Sequence, residues 1–167
     1  MKRICAWCQT SLGEVSSNIH SEQAITHGIC DICLNNLFAD RDIDFIPFLN
    51  SLSAPVILID DNNTYLSANS KALDVLAKDH QFLKQKRTGD VFTCENAHLE
   101  GGCGHTNRCG GCQMLQLVND TYEGKDNFDH APVTLFQKHG DVRHKLDLEL
   151  TTEKVNGLVL MRIDSLK

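Results

Sequence analysis

The sequence predicts an α+β fold: a five-stranded antiparallel sheet with helices on one face, preceded by a small four-cysteine module. Three observations predict it. Two short strand-like runs precede a helical stretch and three more follow it; segregated elements of this kind differ from alternating βαβ units. Between residues 142 and 151, Val142, His144, Leu146, Leu148 and Leu150 alternate with Arg143, Lys145, Asp147 and Glu149, the pattern of a strand with one buried and one wet face. Finally, the eight cysteines fall into two sets of four, and the first set lies wholly ahead of the strands.

Residues 1–39 form the first predicted unit, carrying Cys5-x2-Cys8 and Cys30-x2-Cys33. Gly13 marks a turn, His27-Gly28 leads into the second pair, and Leu34, Leu37 and Phe38 follow at helical spacing, so a helix is expected from near Asp31. Residues 40–53 read as a linker helix that Asp40 could cap. Ile43, Ile46, Leu49 and Leu52 form one apolar stripe, and Pro47 implies a kink or a late start. That stripe suits packing on the next unit, or else a dimer seam.

Residues 54–167 form the main unit. Val56–Ile59 reads as a buried strand, Asp60 to Asn63 as a turn and Thr64–Ser67 as the hairpin partner. Asn69 or Ser70 can cap a helix with Ala72, Leu73, Leu76 and Ala77 inward. After the cysteine-rich loop, a helix is expected from Gln113 to Glu123 with Leu115, Val118 and Tyr122 on one face and Gly124 at its end. Strands follow at 133–138, 142–151 and 157–163, with turns at Gly140-Asp141 and Asn156-Gly157. His144 falls on the inward face of its strand.

Composition narrows the function. The chain has 167 residues and a net charge of −6, with a pI near 5.7. Phosphate binding needs a basic surface, so nucleic acid is not an expected partner; Lys84, Lys86 and Arg87 read as a solvated face. No apolar run near Met1 suits a signal peptide, and none approaches the ~20 residues of a membrane span. A cytoplasmic location is expected. Thiols stay reduced there, so eight cysteines favour metal ligation over disulfides.

Cys5, Cys8, Cys30 and Cys33 read as a closed structural zinc site. Two C-x2-C pairs aim four thiolates at one ion, with sulfurs about 2.3 Å from it. A unit this small has too little core to fold unaided, so the metal would supply much of its stability. Cys94, Cys103, Cys109 and Cys112 form a second complete ligand set, spaced C-x8-C-x5-C-x2-C among Gly101, Gly102, Gly104, Gly110 and Gly111. Glycines let backbone N–H groups approach sulfur. The spacing matches no ferredoxin pattern, so zinc, an iron–sulfur cluster and a thiol redox switch all remain open. His98 and His105 flank the set and read as polar loop residues, although either could be a spare ligand. Asp90, Glu95 and Glu100 lie nearby, but four cysteines fill a tetrahedral metal and leave no open position for hydrolysis.

The stretch PVILIDDNNTYLSANSKALDVLA at 55–77, followed by the helices and the three closing strands, resembles a PAS domain, a sensory fold of bacterial signalling proteins. The resemblance covers about residues 45–165. It implies a PAS-like five-stranded sheet with a ligand or cofactor pocket among the helices, where the second cysteine set falls. ICAWC…HGICDICL, over residues 3–38, resembles a zinc-ribbon or treble-clef module. VFTCENAHLEGGCGHTNRCGGC resembles a cysteine-bearing insert of some PAS-containing sensors.

The expected function is therefore a cytoplasmic signal-sensing or adaptor protein. Its four-cysteine metal or iron–sulfur centre would read redox state, oxygen or metal, and signal through a protein partner or self-association. The alternative is an interaction module with two structural zinc sites. Such sensors usually carry an output unit, and the chain ends after its last strand, so no kinase activity is expected. No catalytic constellation stands out, and a thiol or cluster oxidoreductase is the remaining enzymatic reading.

Overall fold

The structure is a computed structural model that describes residues 2–5, 8–14, 25–28, 30, 32–33, 46–139, 141–155 and 157–167. The chain divides into two compact units, Met1–Ser53 and Ala54–Lys167.

In the first unit, β1 (Lys2–Cys5) is flanked by β2 (Ser11–Glu14) and β3 (Ile25–Gly28). β1 pairs antiparallel with β2 and parallel with β3. Helix α1 spans Ile46–Ser51, with Phe48 and Leu49 buried. Pro47 sits in its first turn, where a missing N–H costs nothing. The Asp40 cap, Ile43, and the helix expected beyond Cys33 lie outside the described residues.

The second unit opens with the expected hairpin. β4 (Val56–Ile59) pairs antiparallel with β5 (Tyr65–Ala68). Asp60 Oδ1 accepts the N–H groups of Asn62 at 2.9 Å and Thr64 at 2.8 Å, and Asn63 takes a left-handed φ of 60°. Asn69, fully buried, joins this hairpin to the first helix of the unit. Its Oδ1 accepts from Ala72 N and Val56 N, each at 3.0 Å, and its Nδ2 donates to Ala54 O at 2.7 Å. One side chain thus caps helix α2 (Ser70–Leu76) and ties it to β4. Ala77, expected inward, is exposed instead and ends the helix with a φ of 51°.

Two short helices come next that the sequence did not signal: α3 (His80–Leu83), capped by Asp79, and α4 (Thr88–Val91). Four residues are too few to display a helical period. Helix α5 spans Gln113–Tyr122 and buries Met114, Leu117, Val118 and Thr121. This face is rotated from the expected one of Leu115, Val118 and Tyr122, because the Met-Leu-x-Leu-Val run is apolar in two adjacent registers. Gly124, at φ +72°, follows the cap residue Glu123. Its N–H reaches Thr121 O, and Lys125 N–H reaches Asp120 O, the paired bonds of a Schellman ending.

Three long strands complete the sheet: β6 (Phe128–His139), β7 (Val142–Val155) and β8 (Leu158–Leu166). The order is β5-β4-β8-β7-β6, and every neighbouring pair is antiparallel. β6 and β7 outrun the expected bounds at the ends away from their shared turn, starting at Phe128 and running to Val155, while the tip of the β6–β7 hairpin extends past the core. His144 is consequently exposed, not inward, as are Val142 through Lys145. One face of the sheet, with Ile57, Leu135, Leu148, Leu150, Met161 and Ile163, meets Ala72, Leu83, Phe92, Met114 and Val118 from the helical side in a single core. No helix among the described residues is long and apolar enough to cross a membrane.

Candidate metal centres

The first cysteine set is assembled by the turn after β1 and the chain after β3. Cys5 ends β1; its N–H donates to Thr10 O, and Gln9 N–H returns to Cys5 O. This knuckle brings Cys8 round beside Cys5. The parallel pairing of β1 with β3 sets Cys5 opposite Gly28, which delivers Cys30 and Cys33 to the same spot. The four sulfurs lie within 4.8 Å of one another, and Cys8 Sγ is 3.6 Å from Cys30 Sγ. A tetrahedron with bonds of about 2.3 Å has an edge of ~3.8 Å, so the set fits one metal ion. Cys30 N–H points at Cys5 Sγ and Cys33 N–H at Cys30 Sγ, each at 3.4 Å. The hydroxyl of Thr10 lowers the Cys8 thiol to about 6. Burial pushes Cys33 up to about 12, a cost that a coordinated metal overrides by deprotonating the thiol outright.

The second set is drawn from four local structures. Cys94 precedes the 3-10 turn Glu95–His98 and pairs with Gln137 of β6 through an isolated bridge. Cys103 lies in the glycine loop, Cys109 opens the 3-10 turn Cys109–Gly111, and Cys112 is the N-cap of α5. All four line one cavity of about 20 Å³, together with Asn63, Gly89 and Asn96 among others. Cys94 and Cys109 are buried, while Cys103 and Cys112 are half-buried.

Polar donors surround these sulfurs. Gly89 N–H donates to Cys103 Sγ at 3.2 Å and Gly104 N–H to Cys109 Sγ at 3.3 Å. Thr106 Oγ1 is 3.1 Å from Cys109 Sγ, and Asn63 Nδ2 is 3.9 Å from Cys103 Sγ. Burial pushes the Cys94 thiol up and Cys103 up to about 11. Cys109 feels burial as well, but the hydrogen bonds from Thr106 and Gly104 outweigh it and hold this thiol below its ordinary value. The buried Oδ1 of Asn96 has no hydrogen-bond partner among the described residues.

The two sets differ in spacing. Apart from the N-terminal four, no three His, Cys, Asp or Glu ligand atoms among the described residues lie within 4.8 Å of one another.

Several of these roles could not be read from the sequence. Gly89 is one: a Cβ there would stand 2.6 Å from Cys103 Sγ, so only glycine admits that sulfur. Asn63 and Thr88 are others. Thr88 is fully buried, and its hydroxyl donates to Asn63 Oδ1. Gly110 and Gly111, by contrast, would meet nothing with an added Cβ; the close N–H groups come from Gly89 and Gly104. His98 and His105 are exposed and do not line the cavity. The acidic neighbours are engaged elsewhere. Glu95 accepts both NH groups of a bidentate Arg143, at 2.8 and 2.6 Å, and Asp90 accepts Arg87 N–H at 3.3 Å. Arg87 in turn donates to Cys103 O at 2.8 Å, pinning the glycine loop.

No known protein-family model matches the chain, and no curated protein matches it. Solved structures do. The photoactive yellow protein domain of the sensor histidine kinase Ppr from Rhodospirillum centenum is 9% identical with a TM-score of 0.44, covering 79% of this chain and 99% of that one. The E. coli DhaR(N)–DhaL complex contains a match 16% identical with a TM-score of 0.44, covering 80% of this chain and 36% of that one. The PAS domain of a Desulfitobacterium hafniense protein is 16% identical with a TM-score of 0.42, covering 72% of this chain and 97% of that one.

Proposed function

We propose that residues 54–167 are a PAS-type sensory unit whose signal is the state of a metal or iron–sulfur centre ligated by Cys94, Cys103, Cys109 and Cys112. Residues 1–39 are a zinc module held by Cys5, Cys8, Cys30 and Cys33, and residues 40–53 link the two. The output is a change in a surface that binds a protein partner or a second copy, with no catalytic step. One observation carries the reading: four cysteines from four separate local structures converge on a single cavity bordering the core. A purely structural clip would need only one hairpin and one helix start, as in the N-terminal set.

The convergence also supplies a route outward. Cys112 is the N-cap of α5, and Met114, Leu117 and Val118 of that helix pack on the sheet. Cys94 is bridged to Gln137 of β6, and Gln137 Nε2 donates to Phe92 O at 2.8 Å. Oxidation or loss of the centre releases these anchors, so the loop at 94–112, helix α5 and the strand behind them shift together.

Hydrogen exchange on the full chain tests this. The protein is compared with its centre intact and after oxidation or chelation. Faster exchange at 88–123 and in β6 is expected. Exchange unchanged in both segments would refute the sensory reading and leave a two-zinc interaction module.

A further inference from the structure

We infer that the surface around Phe82 docks a short acidic segment of a partner protein, one with an apolar side chain to cover the ring. This rests on the proposed function, whose partner-binding surface it locates. Residues 78–87 carry Lys78, Lys84, Lys86 and Arg87 against the one acidic residue Asp79, in a chain of net charge −6. Phe82 stands among them, 56% exposed. Its position is fixed. Asp79 Oδ1 accepts the Phe82 N–H at 2.7 Å, and the next residue, Leu83, is fully buried. With Leu83 turned into the core, α3 presents Phe82 on its outer side. The chain just after it is tied to the start of β5, where Tyr65 N–H donates to Lys86 O at 2.7 Å and Thr64 bridges Arg87. An exposed apolar residue alone is ordinary. Here two ammonium groups stand over the ring, Lys78 Nζ at 5.8 Å and Lys86 Nζ at 5.9 Å from its centre, within reach of a cation–π contact. Lys84 and Lys86 are exposed and make no ion pair among the described residues. An aromatic anchor within a polar rim is the arrangement of a protein-docking hot spot, and the sign of this rim selects carboxylates. Nucleic acid fits less well: a long polyanion would run beyond the patch onto a chain that is acidic overall, whereas a short peptide need touch nothing else.

The patch also reaches the second cysteine set. Lys78 Nζ donates to Asp90 O at 2.9 Å, Val91 O at 2.5 Å and Thr93 Oγ1 at 2.8 Å, closing the end of α4 just ahead of Cys94. Arg87 donates to Cys103 O. Lys78 and Arg87, the first and last residues of the patch segment, therefore hold the chain on the approach to Cys94 and at Cys103. A displacement of that chain moves the Lys78 ammonium relative to the Phe82 ring and changes what a partner meets.

The test uses the full chain and a short fluorescein-labelled peptide of Asp and Glu with one central Trp, its binding followed by fluorescence anisotropy. The peptide should bind, and more weakly as salt rises. Phe82→Ala should weaken binding about tenfold or more, as should Lys84→Ala combined with Lys86→Ala. Lys125→Ala, outside the patch, should leave it unchanged. All these side chains are exposed, so each variant should keep the far-ultraviolet signature of the wild type. Equal binding by wild type and Phe82→Ala, or no binding of the peptide at low salt, would overturn the proposal. So would tighter, Phe82-dependent binding of a single-stranded oligonucleotide, which would make the patch a nucleic-acid contact. Cys109→Ser separates this from the sensory reading. Phe82-dependent binding that is indifferent to Cys109→Ser supports the docking surface and counts against the sensory reading. Hydrogen exchange that responds to the centre, without Phe82-dependent binding, overturns the docking surface alone.

Discussion

Replacing Gly89 with alanine inserts a methyl group into a close contact of the second site, the one between Gly89 and Cys103 Sγ. The new Cβ would stand 2.6 Å from Cys103 Sγ, 3.1 Å from Cys103 Cβ and 3.4 Å from Ala97 Cβ. Overpacking of this kind costs about 1–3 kcal/mol. Against it, alanine recovers at most about 1 kcal/mol of helix propensity, and less in a helix of four residues. The net destabilisation should be about 0–2 kcal/mol, too small to unfold the unit. The larger effect should fall on the proposed centre, because Cys103 must move and cannot retreat freely while Arg87 holds its carbonyl. Gly89→Ala should therefore lose most of its bound metal while keeping its sheet. Gly110→Ala, where a Cβ meets nothing, should keep both. In a Cys103→Ala background the sulfur is gone, and the Gly89 substitution should cost markedly less, a coupling that a double-mutant cycle measures. Urea unfolding supplies the stabilities and elemental analysis the occupancies. If Gly89→Ala matches the wild type in occupancy, or if Gly110→Ala loses metal equally, the close-approach argument is wrong.

Other outcomes can be checked independently. Asn69→Ala removes the α2 cap, worth about 1 kcal/mol, and strands the N–H of Val56, worth about 1–3 kcal/mol when buried; urea unfolding should register a loss of about 2–4 kcal/mol. Glu95 is held below the ordinary carboxylate range chiefly by the Arg143 hydrogen bond, so its contribution is present above an unfolded value near about 4.3 and disappears as pH falls through the folded value. Stability curves for wild type and Glu95→Gln should therefore draw together as the pH falls below the unfolded value and meet below the lower folded one. If the N-terminal quartet holds a metal ion, a chelator should abolish protection of the β1–β2–β3 amides in hydrogen exchange while β7 and β8 remain protected.

Much of the sheet was legible because its physics is local. The alternation through Leu146, Leu148 and Leu150 gave a buried face that the structure keeps. Asn69 stood where a cap residue had to stand, although its second bond to β4 depends on a strand that packs beside it only in three dimensions. His144 misled because the alternation continues into a stretch of β7 that has outrun the core. On α5, two apolar registers were equally good by period, and the difference was decided by the cavity that takes Leu115. Gly89 and Asn63 carried no signal at all. Their roles are set by a sulfur 14 residues away from Gly89 and 40 from Asn63, and nothing in either local sequence encodes that approach.

Strand β6 forms one edge of the sheet, and such an edge is a template for unwanted pairing with other chains. Here it is blunted along its length by different means. At its start the register shifts between Phe128 and Ala131, His130 adopts a φ of 49°, and Pro132 offers no N–H. In the middle, Thr134 N–H is taken by Gln113 Oε1 at 3.0 Å. Towards its end, Cys94 occupies the position opposite Gln137. One of these guards, Cys94, lines the cysteine cavity, and another, Gln113, directly follows Cys112. Protection against unwanted pairing along this edge is therefore shared with residues at or next to the second cysteine set, and a displacement of the 94–113 segment would bare a strand able to recruit another.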